Sequence, residues 1–186
     1  MNGSEDLIAR TRSGDQEAFR LVFERYSRPV LGFIFEMVSQ RDIAEELTQE
    51  TFVRAYHNLK HLRDDSKFST WLFGIGRNVA REWLRSRRRE NLTCTQDIDS
   101  IQQEHTGTID SPMARLLGNE LNLAMETALQ ALDEEKRVVF FLKVLQQRSY
   151  QEIAEITGFS LAKVKTELHR ARLEMRRRLR LYLEMK

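Results

Sequence analysis

Arginines interleaved with aromatic residues at helical spacing occupy Ser66–Arg89, SKFSTWLFGIGRNVAREWLRSRRR, and these residues are the best suited to act on another molecule. A ring, an amide and cations on one side of a helix fit a nucleic acid. The ring offers a stacking surface, the amide can meet base edges, and the guanidinium groups meet phosphate. Trp71, Asn78, Arg81 and Arg85 fall on one such side. Phe68, Leu72, Ile75, Val79 and Trp83 recur at steps of three and four, which predicts a buried face on another side. Arg77, Arg81, Arg85, Arg87, Arg88 and Arg89 stand against the single acid Glu82. A core helix with a solvated basic end is the competing reading of these residues alone.

Ser149–Arg172, SYQEIAEITGFSLAKVKTELHRAR, is a second candidate. Ser149 and Glu152 have the spacing of a capping box, and Ile153, Ala154 and Ile156 make a short helix with an apolar side. Gly158 suits a left-handed turn, and Ser160 can cap a new helix. Short helix, glycine turn and longer helix form a helix-turn-helix. On the longer helix Leu161, Val164, Leu168, Ala171 and Met175 share one predicted buried face, with Glu167 near its margin. The opposite face presents Ala162, Thr166, His169 and Arg170, with Lys163 and Lys165 at its edges, as a helix lying in a major groove would. An ordinary helical hairpin with a basic exterior is the plainer alternative.

The elements that would position these residues are helical throughout. Ser4–Ser13 reads as a short helix, Gly14-Asp15 as a break and an N-cap, and the following apolar run through Met37 as a long helix that Pro29 should kink. Asp42 is expected to start the next helix, with Glu45 as its capping-box partner. Ile43, Leu47, Phe52, Val53, Tyr56 and Leu59 supply its apolar surface, and Glu45, Glu46, Gln49 and Glu50 make its first half acidic and polar. Those acids suit a helix N-terminus by themselves; they also suit docking to a basic partner. His61–Lys67 is a polar connection. Gly74 and Gly76 lie inside the helix that follows, where each costs about 1 kcal/mol relative to alanine. Further helices are expected over Met113–Ala131, Asp133–Leu145, Ser149–Thr157 and Ser160–Leu183.

With 186 residues, 31% charged and 41% apolar, the chain has the balance of a soluble folded protein. Its net charge of +2 hides segregation. Glu90, Asp97, Asp99, Glu104 and Asp110 fall in a stretch without Lys or Arg, between the basic end of the first candidate helix and a basic C-terminal segment. Residues 91–112 lack periodicity and exceed an ordinary loop, so they read as a flexible acidic linker between two small helical domains, 1–90 and 113–186. The expected fold class is therefore all-α. Cys94 is the only cysteine, which fits a reducing compartment; as a redox sensor it is outweighed by an incidental role. The N-terminus lacks the basic start and apolar core of a signal peptide, and no apolar run approaches a membrane span, so a cytoplasmic location is expected.

Asp42-Ile-Ala-Glu-Glu-Leu-Thr-Gln-Glu-Thr-Phe-Val-Arg-Ala-Tyr56, Phe68-Ser-Thr-Trp-Leu72 with Arg77-Asn78, Ser149-Tyr-Gln-Glu-Ile-Ala-Glu155 and the Leu-His-Arg-Ala-Arg that ends at Arg172 together resemble the extracytoplasmic-function (group IV) sigma factors of bacterial RNA polymerase. The likeness covers roughly residues 5–89 and 118–182. QETF followed by FSTWL is a specific combination; a helix-turn-helix alone is not. The resemblance implies a first domain for the −10 promoter element and the core polymerase, and a second for the −35 element. Asp42, Glu45, Glu46, Gln49 and Glu50 would then face the β′ clamp helices, and the β flap would be a further polymerase contact. His61, Arg63, Asp64 and Lys67 belong to a loop similar to the one that holds a base flipped from the −10 strand. Trp71, Arg77, Asn78, Arg81 and Arg85 would complete the −10 contacts, and Ser160, Lys163, Lys165, Thr166, His169 and Arg170 those to −35. The family also implies an anti-sigma factor, often membrane-bound, with no insertion of this chain itself.

Several positions depart from the family pattern. Ala44-Glu45-Glu46 replaces the frequent Ala-Glu-Asp, Gly74 stands where arginine is frequent, and Lys165-Thr166-Glu167 replaces Lys-Ser-Arg. Ala131-Leu132-Asp133 lacks the common Leu-Pro helix start. The acidic linker is expected to run into the polymerase's basic cleft, along the route of nascent RNA. A duplex-binding repressor or activator would explain Ser149–Arg172 but leave Ser66–Arg89 and the acidic helix without a task. A metal-dependent helical nuclease would need clustered ligands, and the best local pair, Glu46 and Glu50, has no histidine within a turn. No phosphate loop, metal cluster or nucleophile–base pattern appears, so a non-catalytic subunit without cofactor or metal is expected.

Overall fold

The computed structural model describes residues 3–93 and 119–184, and every regular element among them is helical. The chain divides into two compact units, Met1–His105 and Thr106–Lys186. Residues 94–112 of the expected linker, Cys94 among them, and the start of the helix expected from Met113 lie outside the described residues, while residues 91–93, expected to begin the linker, continue the preceding helix to Thr93.

The first unit is built from α1 (Gly3–Arg12), α2 (Gln16–Val38), α3 (Arg41–Asn58) and α4 (Phe68–Thr93). Gly14, at φ +93°, turns the chain between α1 and α2 in a conformation costly for any side-chain-bearing residue. Asp15 caps α2 by accepting the Ala18 N–H at 3.0 Å, and its carboxylate also accepts Arg10 Nε at 2.9 Å and Nη2 at 2.7 Å. These bonds hold Asp15 below the usual carboxylate pKa range, the Ala18 N–H contributing most and Arg10 next. The second half of α2, where Val30, Phe33 and Ile34 are fully buried, forms the centre of the unit. The helix is continuous through Pro29.

Two expectations need correction here. Ser39, at φ 55°, ends α2 by donating its N–H to Phe35 O at 2.8 Å, so the chain re-enters helix two residues earlier than expected. Gln40, not Asp42, takes the extended N-cap conformation and gives no side-chain cap. Asp42 therefore lies in the first turn, and Glu45 accepts Arg41 Nε at 3.0 Å in place of a capping-box bond. The buried face of α4 is also displaced. Phe68, Leu72 and Val79 are buried as expected, but Phe73, Gly76 and Ala80 join them, while Ile75 and Trp83 are only half-buried. α4 packs against both α2 and α3, so its apolar stripe must be wide. Phe33 meets Phe73 edge-on at 5.2 Å, and a Cβ on Gly76 would lie 3.5 Å from Ile34 and 3.6 Å from Thr51.

The second unit contains α5 (Asn119–Gln130), α6 (Glu134–Phe140) continuing into a π turn (Phe141–Leu145), α7 (Tyr150–Thr157) and α8 (Leu161–Glu184). Val139, Leu142, Ile153, Ile156, Val164, Leu168 and Ala171 are fully buried apolar residues of this unit. Arg137 is buried with them, and its Nη1 donates to the Gln130 and Leu132 carbonyls at 3.2 and 3.4 Å, satisfying groups that the end of α5 leaves open. Asp133 precedes α6 without a side-chain cap bond and instead pairs with Lys136.

The capping box is present. Ser149 N donates to Glu152 Oε2 at 2.8 Å, and Glu152 N donates to Ser149 Oγ at 3.2 Å. Gly158 closes α7 at φ 69°, and Ser160 Oγ accepts the Lys163 N–H at 3.2 Å to start α8. On α8 Val164, Leu168, Ala171 and Met175 are buried, but Leu161 is 44% exposed because it precedes the point at which α8 meets the core. Gly158→Ala is expected to cost the second unit about 1 kcal/mol, the left-handed penalty less the unfolded-state gain. Urea unfolding followed by amide exchange in α7 measures it, and unchanged protection would contradict the assignment.

Candidate nucleic-acid interface

α4 carries its polar face opposite the packed one. Trp71 is half-buried, its ring 5.9 Å from that of Phe68, which in turn meets Tyr26. Asn78 and Arg85 are exposed, and Arg81 is half-buried. The ring is thus steadied from behind while the amide and guanidinium groups stand in solvent. Arg77 is half-buried beside Arg81; burial, and secondarily the Arg81 charge, lower its pKa from the ordinary arginine value.

The connection before α4 is more built than a polar loop. Leu59–His61 and Asp65–Lys67 are short 3₁₀ turns, and buried Leu62 anchors the chain between them. His61, Arg63, Asp64 and Lys67 are exposed. Asp64 Oδ1 accepts the Ser66 N–H at 3.0 Å and the Ser66 hydroxyl at 2.6 Å, so this carboxylate shapes the loop. The hydroxyl bond is the main cause of its depressed pKa.

α3 brings its acids to one face but does not leave them equal. Glu45 is paired with Arg41, and Glu50 with Arg54, whose Nη1 also reaches Glu82 on α4 at 2.7 Å. Asp42, Glu46 and Gln49 are exposed and have no ion pair among the described residues. Val53 and Tyr56, counted above as apolar packing surface, are 52% and 43% exposed. They continue the Glu46–Gln49 side at steps of four and three. That spacing was visible in the sequence, but residue type pointed inward.

On α8, Lys165, Thr166, His169 and Arg170 are exposed together with Ala162. Ser160 is engaged as the cap. Lys163 is turned away from this face, with Nζ 2.6 Å from Glu135 Oε1 and 4.1 Å from the centroid of the Phe159 ring. Glu167 is buried, and Arg170 Nη1 donates to its Oε1 at 3.0 Å. The acid at this position therefore orients a cation of the groove-facing side. Glu135→Gln releases Lys163 and is expected to steepen the salt dependence of duplex binding by up to about one unit of log–log slope. Fluorescence anisotropy over a salt series measures it; an unchanged slope would leave Lys163 outside the interface.

Gly74 lies between Trp71 and Asn78 on the polar side of α4, and a Cβ there would meet nothing within 4 Å. Packing among the described residues gives no reason for the glycine. Gly74→Ala is expected to stabilise the first unit by about 1 kcal/mol. Urea unfolding followed by the fluorescence of Trp71 and Trp83 reads it directly, and destabilisation would show that the helix backbone needs the glycine.

Comparison with known proteins finds one family match in each unit. Residues 22–90 match the family described as Sigma-70 region 2, and residues 122–175 match Sigma-70, region 4. The chain is 30% identical over 172 residues to the RNA polymerase sigma-H factor of Pseudomonas aeruginosa, covering 90% of this chain and 89% of that one. It is 31% identical to the ECF RNA polymerase sigma-E factor of Haemophilus influenzae, with 89% of each chain covered. Among solved structures it resembles the sigma factor RpoE in complex with the anti-sigma factor NepR from Bartonella quintana, with a TM-score of 0.68, 25% identity, and coverage of 87% of this chain and 96% of that one. It also resembles CnrH in complex with the cytosolic domain of CnrY, with a TM-score of 0.65, 26% identity, and coverage of 96% and 97%.

Proposed function

This chain belongs to the extracytoplasmic-function group of the sigma-70 family, and from that premise we propose how its two faces divide the work of promoter recognition. As a sigma factor it binds core RNA polymerase and directs promoter-specific initiation. The observation that carries the division is the polar Trp71–Asn78–Arg81–Arg85 side of α4, set beside a tethered loop in one unit, with a doubly capped helix-turn-helix in the other.

In this reading residues 1–90 contact the polymerase and the −10 element, residues 91–112 link, and residues 113–186 bind −35 duplex DNA. Asp42, Glu46 and Gln49, extended by Val53 and Tyr56, meet the polymerase clamp; Glu45 and Glu50 contribute less because each already has an arginine. Trp71 stacks on an unpaired base, Asn78 bonds to the opened strand, and Arg77, Arg81 and Arg85 hold phosphates. His61, Arg63 and Lys67 flank a flipped base. Lys165, Thr166, His169 and Arg170 read the −35 groove. Catalysis belongs to the polymerase core, and the chain works in the cytoplasm; no described helix is long and apolar enough to cross a membrane. An anti-sigma factor, the kind of partner bound to the Bartonella quintana relative, holds it inactive.

Run-off transcription with purified core polymerase and a library of promoter fragments tests the proposal. Promoter-specific initiation that depends on this chain is expected. Duplex binding without core association would instead identify a conventional helix-turn-helix regulator.

A further inference from the structure

We infer that Arg12, the last residue of α1, is a positioning residue for the base-reading loop; the inference rests on the −10 function proposed above. Its guanidinium grips the loop at two places. Nη2 donates to the Leu62 carbonyl at 3.2 Å and to Asp65 Oδ1, and Nη1 donates to Asp65 Oδ2 at 3.4 Å. One grip is on the backbone at the loop's buried anchor, the other on the first residue of the second 3₁₀ turn. Arg63 and Asp64 lie between the two grips, and His61 and Lys67 lie just outside them.

The brace has a firm footing. Ile8 and Thr11 of α1 are buried, and the Thr11 hydroxyl donates to the Leu7 carbonyl at 2.8 Å. Arg10 is bonded to Asp15, which caps α2, so the end of α1 is tied to the long helix of the unit. A continuous chain of contacts thus runs from the α2 N-terminus through Asp15, Arg10 and α1 to Arg12 and the loop. Asp64, capped on Ser66, fixes the span between the grips from inside. Arginine suits this task because its planar fork can hold a carbonyl and a carboxylate at once; lysine offers a point charge.

The consequence concerns selectivity more than adhesion. A loop whose ends are fixed holds its polar groups where one base satisfies them and others leave them unpaired. A released loop can rearrange to accept a wrong base, and it must also be ordered at each binding event. Loss of the brace should therefore narrow the gap between right and wrong −10 strands while sparing contacts made elsewhere. Neither Arg12 nor Asp65 stands out in the sequence, since they are 53 positions apart and each sits in an unexceptional polar setting.

Holoenzyme assembled from the full chain and core polymerase first selects its preferred −10 strand from a random single-stranded pool. Affinities are then measured for that strand and for versions with each loop-facing base changed. Arg12→Ala and Asp65→Asn are expected to reduce the preference about tenfold, the scale of charge-assisted hydrogen bonds lost from one ion pair. Core association and −35 duplex affinity stay at wild-type values. The reciprocal pair, Arg12→Asp with Asp65→Arg, restores part of the preference. Should Arg12→Ala fail to fold, Arg12→Lys carries the same expectation at smaller size. Undiminished preference in any folded Arg12 variant overturns the inference, as does a reciprocal pair no better than the single variants. A wild-type holoenzyme that selects no strand overturns the −10 reading itself, an outcome separable because it needs no variant.

Discussion

Asn78→Ala lowers the rate of open-complex formation by about ten- to a hundredfold, the range expected for one lost set of base contacts worth about 1–3 kcal/mol. Duplex binding at −35 stays within about twofold, because the contacts that hold it are on a separate unit. The side chain is exposed on the face of α4 away from the core, so the substitution removes little packing and leaves the fold intact. Stopped-flow fluorescence from a reporter base in the −10 strand separates melting from binding. Trp71→Ala should lower melting to a similar degree, since stacking on an aromatic ring is worth about 1–3 kcal/mol per base. Its ring also touches Phe68, so some loss of stability accompanies that variant. Equal losses of melting and duplex binding for Asn78→Ala would remove it from the opened strand.

Arg170→Ala is expected to weaken −35 duplex affinity by about ten- to a hundredfold if it meets a base edge, at about 1–3 kcal/mol, and to relax selectivity at one position. A phosphate contact would instead lower affinity evenly across sequences and make the salt dependence shallower by about one unit. The variant also leaves Glu167 buried without the arginine that satisfies it. Glu167→Gln separates these effects, since it keeps an acceptor while removing the charge that orients Arg170. Affinity intermediate between the parent and Arg170→Ala is expected, by anisotropy with a labelled −35 duplex. Parent-like affinity in Glu167→Gln would show that Arg170 needs no orienting partner.

Much of the candidate site could be read along the chain because its parts are local. The capping box of Ser149 and Glu152, the Gly158 turn and the Ser160 cap each involve residues within a few positions, and spacing alone specifies such bonds. The polar side of α4 was likewise set by helical periodicity. The start of α3 was misread because the deciding event, the left-handed Ser39, is set by how α2 ends, and serine gives no advance notice of it.

Which charges remain available to a partner could be read this way only where both members of a pair lie one helical turn apart, as in Arg41–Glu45, Arg54–Glu50 and Arg170–Glu167. Arg41 and Arg54 occupy Glu45 and Glu50, Glu135 takes Lys163, and Glu167 holds Arg170, while Arg12 is drawn to Asp65 across the unit. The pairs Arg54–Glu82, Lys163–Glu135 and Arg12–Asp65 join residues 28 to 53 positions apart, beyond any helical period. The apolar count misplaced Val53, Tyr56 and Leu161 because burial depends on which neighbouring helix covers a face.

By itself, then, the sequence determined that the chain is helical, where its helix-turn-helix lies, and which helix faces could meet nucleic acid, since hydrophobic period and capping chemistry act over one or two turns. Only the tertiary structure decided which cations and acids on those faces are committed within the chain and which part of α4 is core. Burial and the ion pairs that join different elements are set by distances between helices, and the local pattern of residues carries no such distances. For the stretch Ser66–Arg89 this means a steadied ring, an open amide and a loop held from behind by Arg12.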